Sequence, residues 1–253
     1  DGTLSIQLPG GQTLWLFGDT FLGRVRSDES RPVDSPLIRN CLVLQDGPEL
    51  VTLHGGTGDD PQAFLAAEEP DVWYWPGDGT LQGERLQVFF HRFRQVAPGM
   101  WGWAWDATVL ATIELPDLVL VGVGPRPEKN GVAYGASILE KGPWLYIFGT
   151  RQRGAIKYLH LARAPQNDLD GDWVYWTGQS WSTRATASQA ILSGVSNQFG
   201  VISLDKGFGL VTMDARQPFT GQVVAYFAEE PTGPWQGPVS IYRAPEANDQ
   251  VAA

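Results

Sequence analysis

The stretch TLSIQLPGGQTLWLFGDT, Thr3 to Thr20, decides the fold. A run of alternating apolar and polar residues meets a Gly-containing turn, and a second run rich in aliphatics and aromatics ends beside an acidic residue. That is the pattern of two strands joined as a hairpin. The same grammar returns in WPGDGTLQGERLQVFFHR (Trp75 to Arg92), GASILEKGPWLYIFGT (Gly135 to Thr150) and GVISLDKGFGLVTMDA (Gly200 to Ala215). Aligned on Leu14, Leu86, Leu145 and Leu210, the copies stand 72, 59 and 65 residues apart. Two later strands follow in each unit, read as IKYLHLARAP and DWVYWTGQSW in the third and as QVVAYFAEEP and PVSIYRAPE in the fourth. A meander of four antiparallel strands repeated along a chain is a propeller blade, whereas a sandwich has no need of repeated hairpin pairs. The sequence therefore predicts an all-β chain, a β-propeller with four blades visible. Residues 1–253 are read as a single domain, open to trimming at both ends.

Composition narrows the function. With 253 residues, 43% of them hydrophobic and 18% charged, the chain can bury a large core and lacks the composition of a disordered one. A net charge of −10 denies it the basic surface of a nucleic-acid binder. No apolar run approaches the roughly 20 residues of a membrane-spanning helix, so no membrane insertion is expected. Cys41 is the single cysteine, which excludes an internal disulfide framework and reads as a small buried apolar side chain. The sequence opens at Asp1 inside a strand-like pattern, as expected of a mature protein whose targeting segment has been removed. Eleven tryptophans are many for this length. Trp15, Trp144 and Trp176 read as packing between blades. Trp101, Trp103 and Trp105 alternate at period two and so point one way, as an interblade stripe or as a platform for sugar.

Propeller chemistry gathers around the innermost strands and the loops at one face. Asp1 opens the first strand of the first repeat and Asp19 ends its second, so the hairpin brings the two carboxyl groups together. Paired carboxylates are what glycoside hydrolysis requires, one to donate a proton and one to act as base or nucleophile. Both have a plainer reading, since Asp-Gly is a common turn dipeptide and Gly18-Asp19-Thr20 can be a strand-end turn. Arg39 and Asn40 begin an inward strand, where they can hold sugar hydroxyls or bond a neighbouring blade. Tyr134 and the pair Ser196-Asn197 occupy corresponding positions in the third and fourth repeats and are candidate substrate contacts. Trp75 heads the second repeat and can stack on the C–H face of a sugar.

Metal and nucleophile patterns are poor. His54, His91 and His160 have no paired-ligand spacing. In NDLDGDW, Asn167 to Trp173, the glycine follows the second aspartate and no glutamate closes the loop, so a plain turn is expected. There is no P-loop, dinucleotide fingerprint or Gly-x-Ser-x-Gly elbow. The reading carries neither metal nor cofactor.

DGTLSIQLPGGQTLWLFGDTFLG resembles the opening of a five-bladed β-propeller glycoside hydrolase family, formerly domains of unknown function, that includes endo-D-arabinanases. The resemblance continues through RNCLVLQDG (Arg39 to Gly47), VWYWPGDG (Val72 to Gly79), YGASILEKGPWLYIFGT (Tyr134 to Thr150) and AEEPTGPW (Ala228 to Trp235). It implies that Asp1 and Asp19 are the catalytic pair. It also implies an inverting hydrolase of arabinofuranosyl linkages, secreted or held at the cell surface, whose partner is a polysaccharide or oligosaccharide. Inversion requires the carboxyl groups to stand about 6.5–9.5 Å apart, leaving room for water. The family's fifth blade has no counterpart after Pro245. That departure favours an alternative, a carbohydrate-binding propeller without turnover. A third class, a protein-interaction propeller, fits the hydrolase-like inward motifs less well.

Overall fold

The structure, a computed structural model, describes residues 2–126, 130–217, 220–245 and 247. Among these, regular structure is β-strand apart from two short 3-10 turns, Pro9–Gly11 and Ala185–Ala187. The fold is a β-propeller with four blades visible among the described residues. By contacts the chain divides into two compact units, Asp1–Gly124 and Pro125–Ala253.

In the first unit, blade 1 comprises Thr3–Gln7, Thr13–Phe17, Cys41–Asp46 and Glu49–Leu53, paired antiparallel in that order. Blade 2 comprises Val72–Gln82, Arg85–Gln95, Trp103–Glu114 and Val119–Pro125. In the second unit, blade 3 is built on Ala133–Lys141, Trp144–Arg153 and Ile156–Pro165. Blade 4 comprises Phe199–Ser203, Phe208–Met213, Gln222–Ala228 and Gln236–Arg243.

The four repeat leucines explain why these segments are strands in this register. Leu14, Leu86, Leu145 and Leu210 each lie on the second strand of a blade, and all four are fully buried. Along Thr13–Phe17 burial alternates, with Leu14 and Leu16 inward. Trp15 lies on the other face, its indole N–H donating to Gln45 Oε1 at 2.8 Å. In blade 2 the alternation is lost, and Leu86 through Phe90 are all buried, so that this strand has protein on both of its faces.

Each unit has its own core. Leu14, Leu16 and Leu42 of blade 1 pack with Leu86, Val88, Phe90, Ala111 and Ile113 of blade 2. Phe148, Leu159 and Leu161 of blade 3 pack with Phe208, Leu210, Val224 and Tyr226 of blade 4. Burying one such aliphatic or aromatic side chain is worth about 1.5–3 kcal/mol, which makes blade-on-blade packing the main stabilising term. Blades 1 and 2 approach closely at Gly79, where a Cβ would stand 2.7 Å from Ile6 Cδ1 and 2.8 Å from the Gln87 carbonyl oxygen. A residue without a side chain is needed there.

Two sequence expectations change. DWVYWTGQSW is not a single outer strand but a hairpin, Val174–Trp176 against Trp181–Ser182. Thr177 closes its turn, its N–H and its hydroxyl both donating to the Ser180 carbonyl at 2.9 Å. The outer edge of Ile156–Pro165 is consequently shared, with Ala162 and Arg163 pairing with the hairpin and Tyr158 to His160 pairing with Ala190–Ser193. Likewise Trp101 does not belong to the stripe of Trp103 and Trp105. The strand begins at Trp103, and Trp101 lies in the turn before it.

Candidate active site

Asp19 follows the second strand of blade 1 by two residues. The Thr20 hydroxyl donates to the Gly18 carbonyl at 2.9 Å and closes the strand-end turn. Thr20–Phe21 then pairs with Leu37–Ile38, so the intervening loop returns the chain and sets Arg39 beside Asp19. Arg39 Nη1 donates to Asp19 Oδ2 at 3.0 Å, and Trp75 Nε1 of blade 2 donates to Asp19 Oδ1 at 2.8 Å. The side chains of Arg39 and Asp19 are 43% and 27% exposed, so solvent, and therefore a ligand, reaches the pair. For an ion pair that exposed, the stabilisation is about 1 kcal/mol or less, and its interest is functional.

Behind the carboxylate lies an aromatic wall. The Trp75 ring is 4.6 Å from Phe93, 5.2 Å from Trp103 and 5.7 Å from Trp73, with edge-on or tilted geometry throughout. The Arg39 guanidinium lies 4.7 Å over the Trp73 ring, a cation–π contact that orients it towards Asp19. With three rings around it, Trp75 is held as a hydrogen-bond donor to Asp19. Cys41, just beyond, is buried, and burial pushes its thiol above the ordinary range, so it remains an unreactive S–H.

Asn40 supports this arrangement from within the fold. Its Nδ2 donates to the carbonyls of Leu65 and Tyr74, both at 2.9 Å, and its Oδ1 accepts from the Leu65 N–H at 2.9 Å. The amide thus ties blade 1 to the first strand of blade 2, beside Trp75. Replacing Asn40 by Ala leaves three polar groups without partners and is expected to cost on the order of 3 kcal/mol, read as a lower urea midpoint. Asp1, the expected partner carboxylate, lies outside the described residues.

The other sequence candidates belong to the second unit. Tyr134 is fully buried, its hydroxyl 2.9 Å from Ser188 Oγ, and burial raises its pKa above the ordinary phenol value. The Ser196 backbone N–H donates to Thr212 Oγ1 at 3.0 Å, while the exposed Asn197 accepts from Thr150 Oγ1 at 3.2 Å. NDLDGDW forms a turn, with the Gly171 N–H on the Asp168 carbonyl and the Trp173 indole on the Leu169 carbonyl.

Two arrangements escaped the sequence reading. Asp214 ends the second strand of blade 4 much as Asp19 ends that of blade 1, a parallel visible in TMDA beside FGDT. Its carboxylate is buried and gripped by Arg216, Nε to Oδ1 at 2.7 Å and Nη2 to Oδ2 at 2.6 Å, which lowers its pKa. The second is the buried chain from Tyr134 through Ser188 to His160, whose Nδ1 is 2.9 Å from Ser188 Oγ. No local sequence pattern signals it.

The chain belongs to the family described as a domain of unknown function, DUF5005, which matches residues 1–252. No curated protein matches it. Among solved structures it is similar to a Bacteroides ovatus protein described as a "putative hydrolase", with a TM-score of 0.82 at 20% identity. That match covers 97% of this chain and 70% of the other, and it is a likeness of fold. A β-xylosidase/α-arabinofuranosidase from a compost microbial metagenome, solved with xylotriose, matches at 9% identity and a TM-score of 0.32. It covers 67% of this chain and 77% of the other, too slight a likeness to bear on function.

Proposed function

We propose that the protein is a secreted glycoside hydrolase that cleaves arabinofuranosyl linkages in a polysaccharide, with Asp19 as one of two catalytic carboxylates. The observation that carries this reading is the setting of Asp19, which is solvent-accessible, ion-paired to Arg39 and bonded to the Trp75 indole. Two donors, one on each oxygen, fix the orientation of a carboxylate that stays open to water. Asp19 is accordingly the base that takes a proton from water as the water oxygen bonds to the anomeric carbon. The glycosidic bond breaks on the opposite face, and the leaving oxygen takes the proton of the second carboxyl group, assigned to Asp1 by family resemblance. The product has inverted configuration, and exchange with solvent resets the pair, taking the proton from Asp19 and returning one to the second carboxylate. The substrate assignment rests on the resemblance of FGDTF and its flanks to the arabinanase-containing family.

The same geometry supports a second reading. With both oxygens of Asp19 already accepting, the cluster can serve as a polar anchor for sugar hydroxyls in a binding propeller without turnover. Incubation with a panel of arabinans and galactans separates the two. Hydrolysis predicts arabino-oligosaccharides by mass spectrometry, with the inverted anomer first seen by NMR. Saturable binding with no product on prolonged incubation overturns the hydrolase reading.

A further inference from the structure

The second and third strands of blade 2 are joined by a hairpin whose tip reads Val96-Ala97-Pro98-Gly99-Met100-Trp101-Gly102. Met100 and Trp101 stand 81% and 74% exposed. Holding two large apolar side chains in water does nothing for folding stability, and a slack loop would fold them down. This tip is fastened. The N–H groups of Val96 and Ala97 both donate to the Gly102 carbonyl, at 2.7 and 2.9 Å, and the Gly102 N–H donates to Gly99 at 3.1 Å. The Gln95 side-chain amide donates to the carbonyls of Ala97 at 2.7 Å and Gly99 at 2.8 Å. A Cβ at position 102 would collide with the Ala97 carbonyl, so the closure depends on glycine.

The tip lies at the end of blade 2 that meets Asp19. His91 pairs with Trp75, Phe93 with Trp73 and Gln95 with Trp103. Two indoles, Trp75 and Trp103, lead from Asp19 towards this end of the blade. Trp75 is bonded to the carboxylate, Trp103 lies 5.2 Å from Trp75, and Trp101 follows two residues away along the chain. Trp73, Trp75 and Trp103 close against each other or Phe93, whereas the surface of Trp101 stays open.

We propose that Trp101, with Met100, forms a secondary sugar-binding subsite that holds a stretch of polysaccharide beyond the residues engaged at Asp19. The proposal rests on the glycan-directed reading of that site. A neutral sugar offers C–H bonds to an indole face, and an unbranched thioether adapts to sugars in varied orientation. The position of the tip at the end of blade 2 that carries Trp103 and Trp75, on the side of the carboxylate, favours a polymer as occupant.

The test compares the parent, Trp101→Ala and Trp101→Phe by affinity electrophoresis in gels containing linear arabinan, alongside kinetics on the polymer and on an arabinofuranosyl trimer. Trp101→Ala is expected to weaken polymer binding and raise polymer KM roughly five- to tenfold, with kcat/KM on the trimer unchanged. Trp101→Phe is expected to retain most of the binding. Equal retardation of parent and Trp101→Ala overturns the proposal, as does absence of any retardation of the parent. Unchanged retardation with altered sedimentation assigns the tip to protein contact and overturns it as well. Retardation needs no turnover, so loss of the hydrolase reading and loss of this subsite are separately visible.

Discussion

Asp19→Asn is expected to lower kcat on arabinan by about a hundred- to ten-thousandfold, the range associated with removing a general acid or base. The substitution is nearly isosteric. An Asn carbonyl oxygen can still accept from Trp75 Nε1, which now stands 2.8 Å from Oδ1. What disappears is the negative charge facing Arg39, held at 3.0 Å, and the capacity to take a proton from water. The ion pair is half exposed, so its loss costs the fold about 1 kcal/mol or less. Thermal and urea midpoints should therefore stay near those of the parent while reducing-end release from arabinan falls by that factor. Retained turnover removes Asp19 from the mechanism. A collapse in stability matching the loss of activity assigns it a structural role instead.

Asp214 sharpens that expectation by contrast. It also ends the second strand of a blade, but its residue is only 5% exposed and both of its oxygens are held by one arginine two residues away. A short-range, buried, bidentate grip stabilises a turn. Asp19 instead takes its arginine from 20 positions away and its indole from 56, and it stays open to solvent. Bringing such distant donors to an accessible carboxylate is an arrangement expected of a site rather than of a turn.

The repeat leucines show what made the fold legible. A short apolar run that follows a Gly-containing turn is a local property, so Leu14, Leu86, Leu145 and Leu210 announce four second strands without reference to tertiary contacts, whether burial then alternates as in blade 1 or is continuous as in blade 2. DWVYWTGQSW misled because its aromatics suggested one strand, while Thr177 and Ser180 form a turn that splits them. The site was legible only where a short motif carried it, as FGDT carries Asp19. Asn40 was open to two readings because the partners that occupy its amide are 25 and 34 positions distant. The Trp75–Asp19 bond and the Ser188 bridge are likewise products of tertiary folding, to which a local pattern is blind.

The second large effect concerns acid. His160 is buried in blade 3 at 3% exposure, with Nδ1 2.9 Å from Ser188 Oγ. Burial, reinforced by the positive charges of Arg151 and Arg153, lowers its pKa from about 6.5 to about 4. In the unfolded chain the imidazole binds its proton near its ordinary value, whereas the folded chain resists protonation until about pH 4. Between those limits the unfolded state carries more protons, so stability falls as pH falls. The loss begins below about pH 6.5 and levels off below about pH 4, amounting to roughly 3 kcal/mol for this one group. Urea unfolding of the parent at pH 7 and pH 4.5 should show most of that loss. His160→Gln removes the titration while keeping an amide that can bond Ser188, and its stability should change less between the two pH values. The decisive quantity is the difference between the two pH values within each protein, which is independent of the stability from which the variant starts at pH 7. Equal differences in parent and variant would mean that the acid sensitivity belongs to other groups.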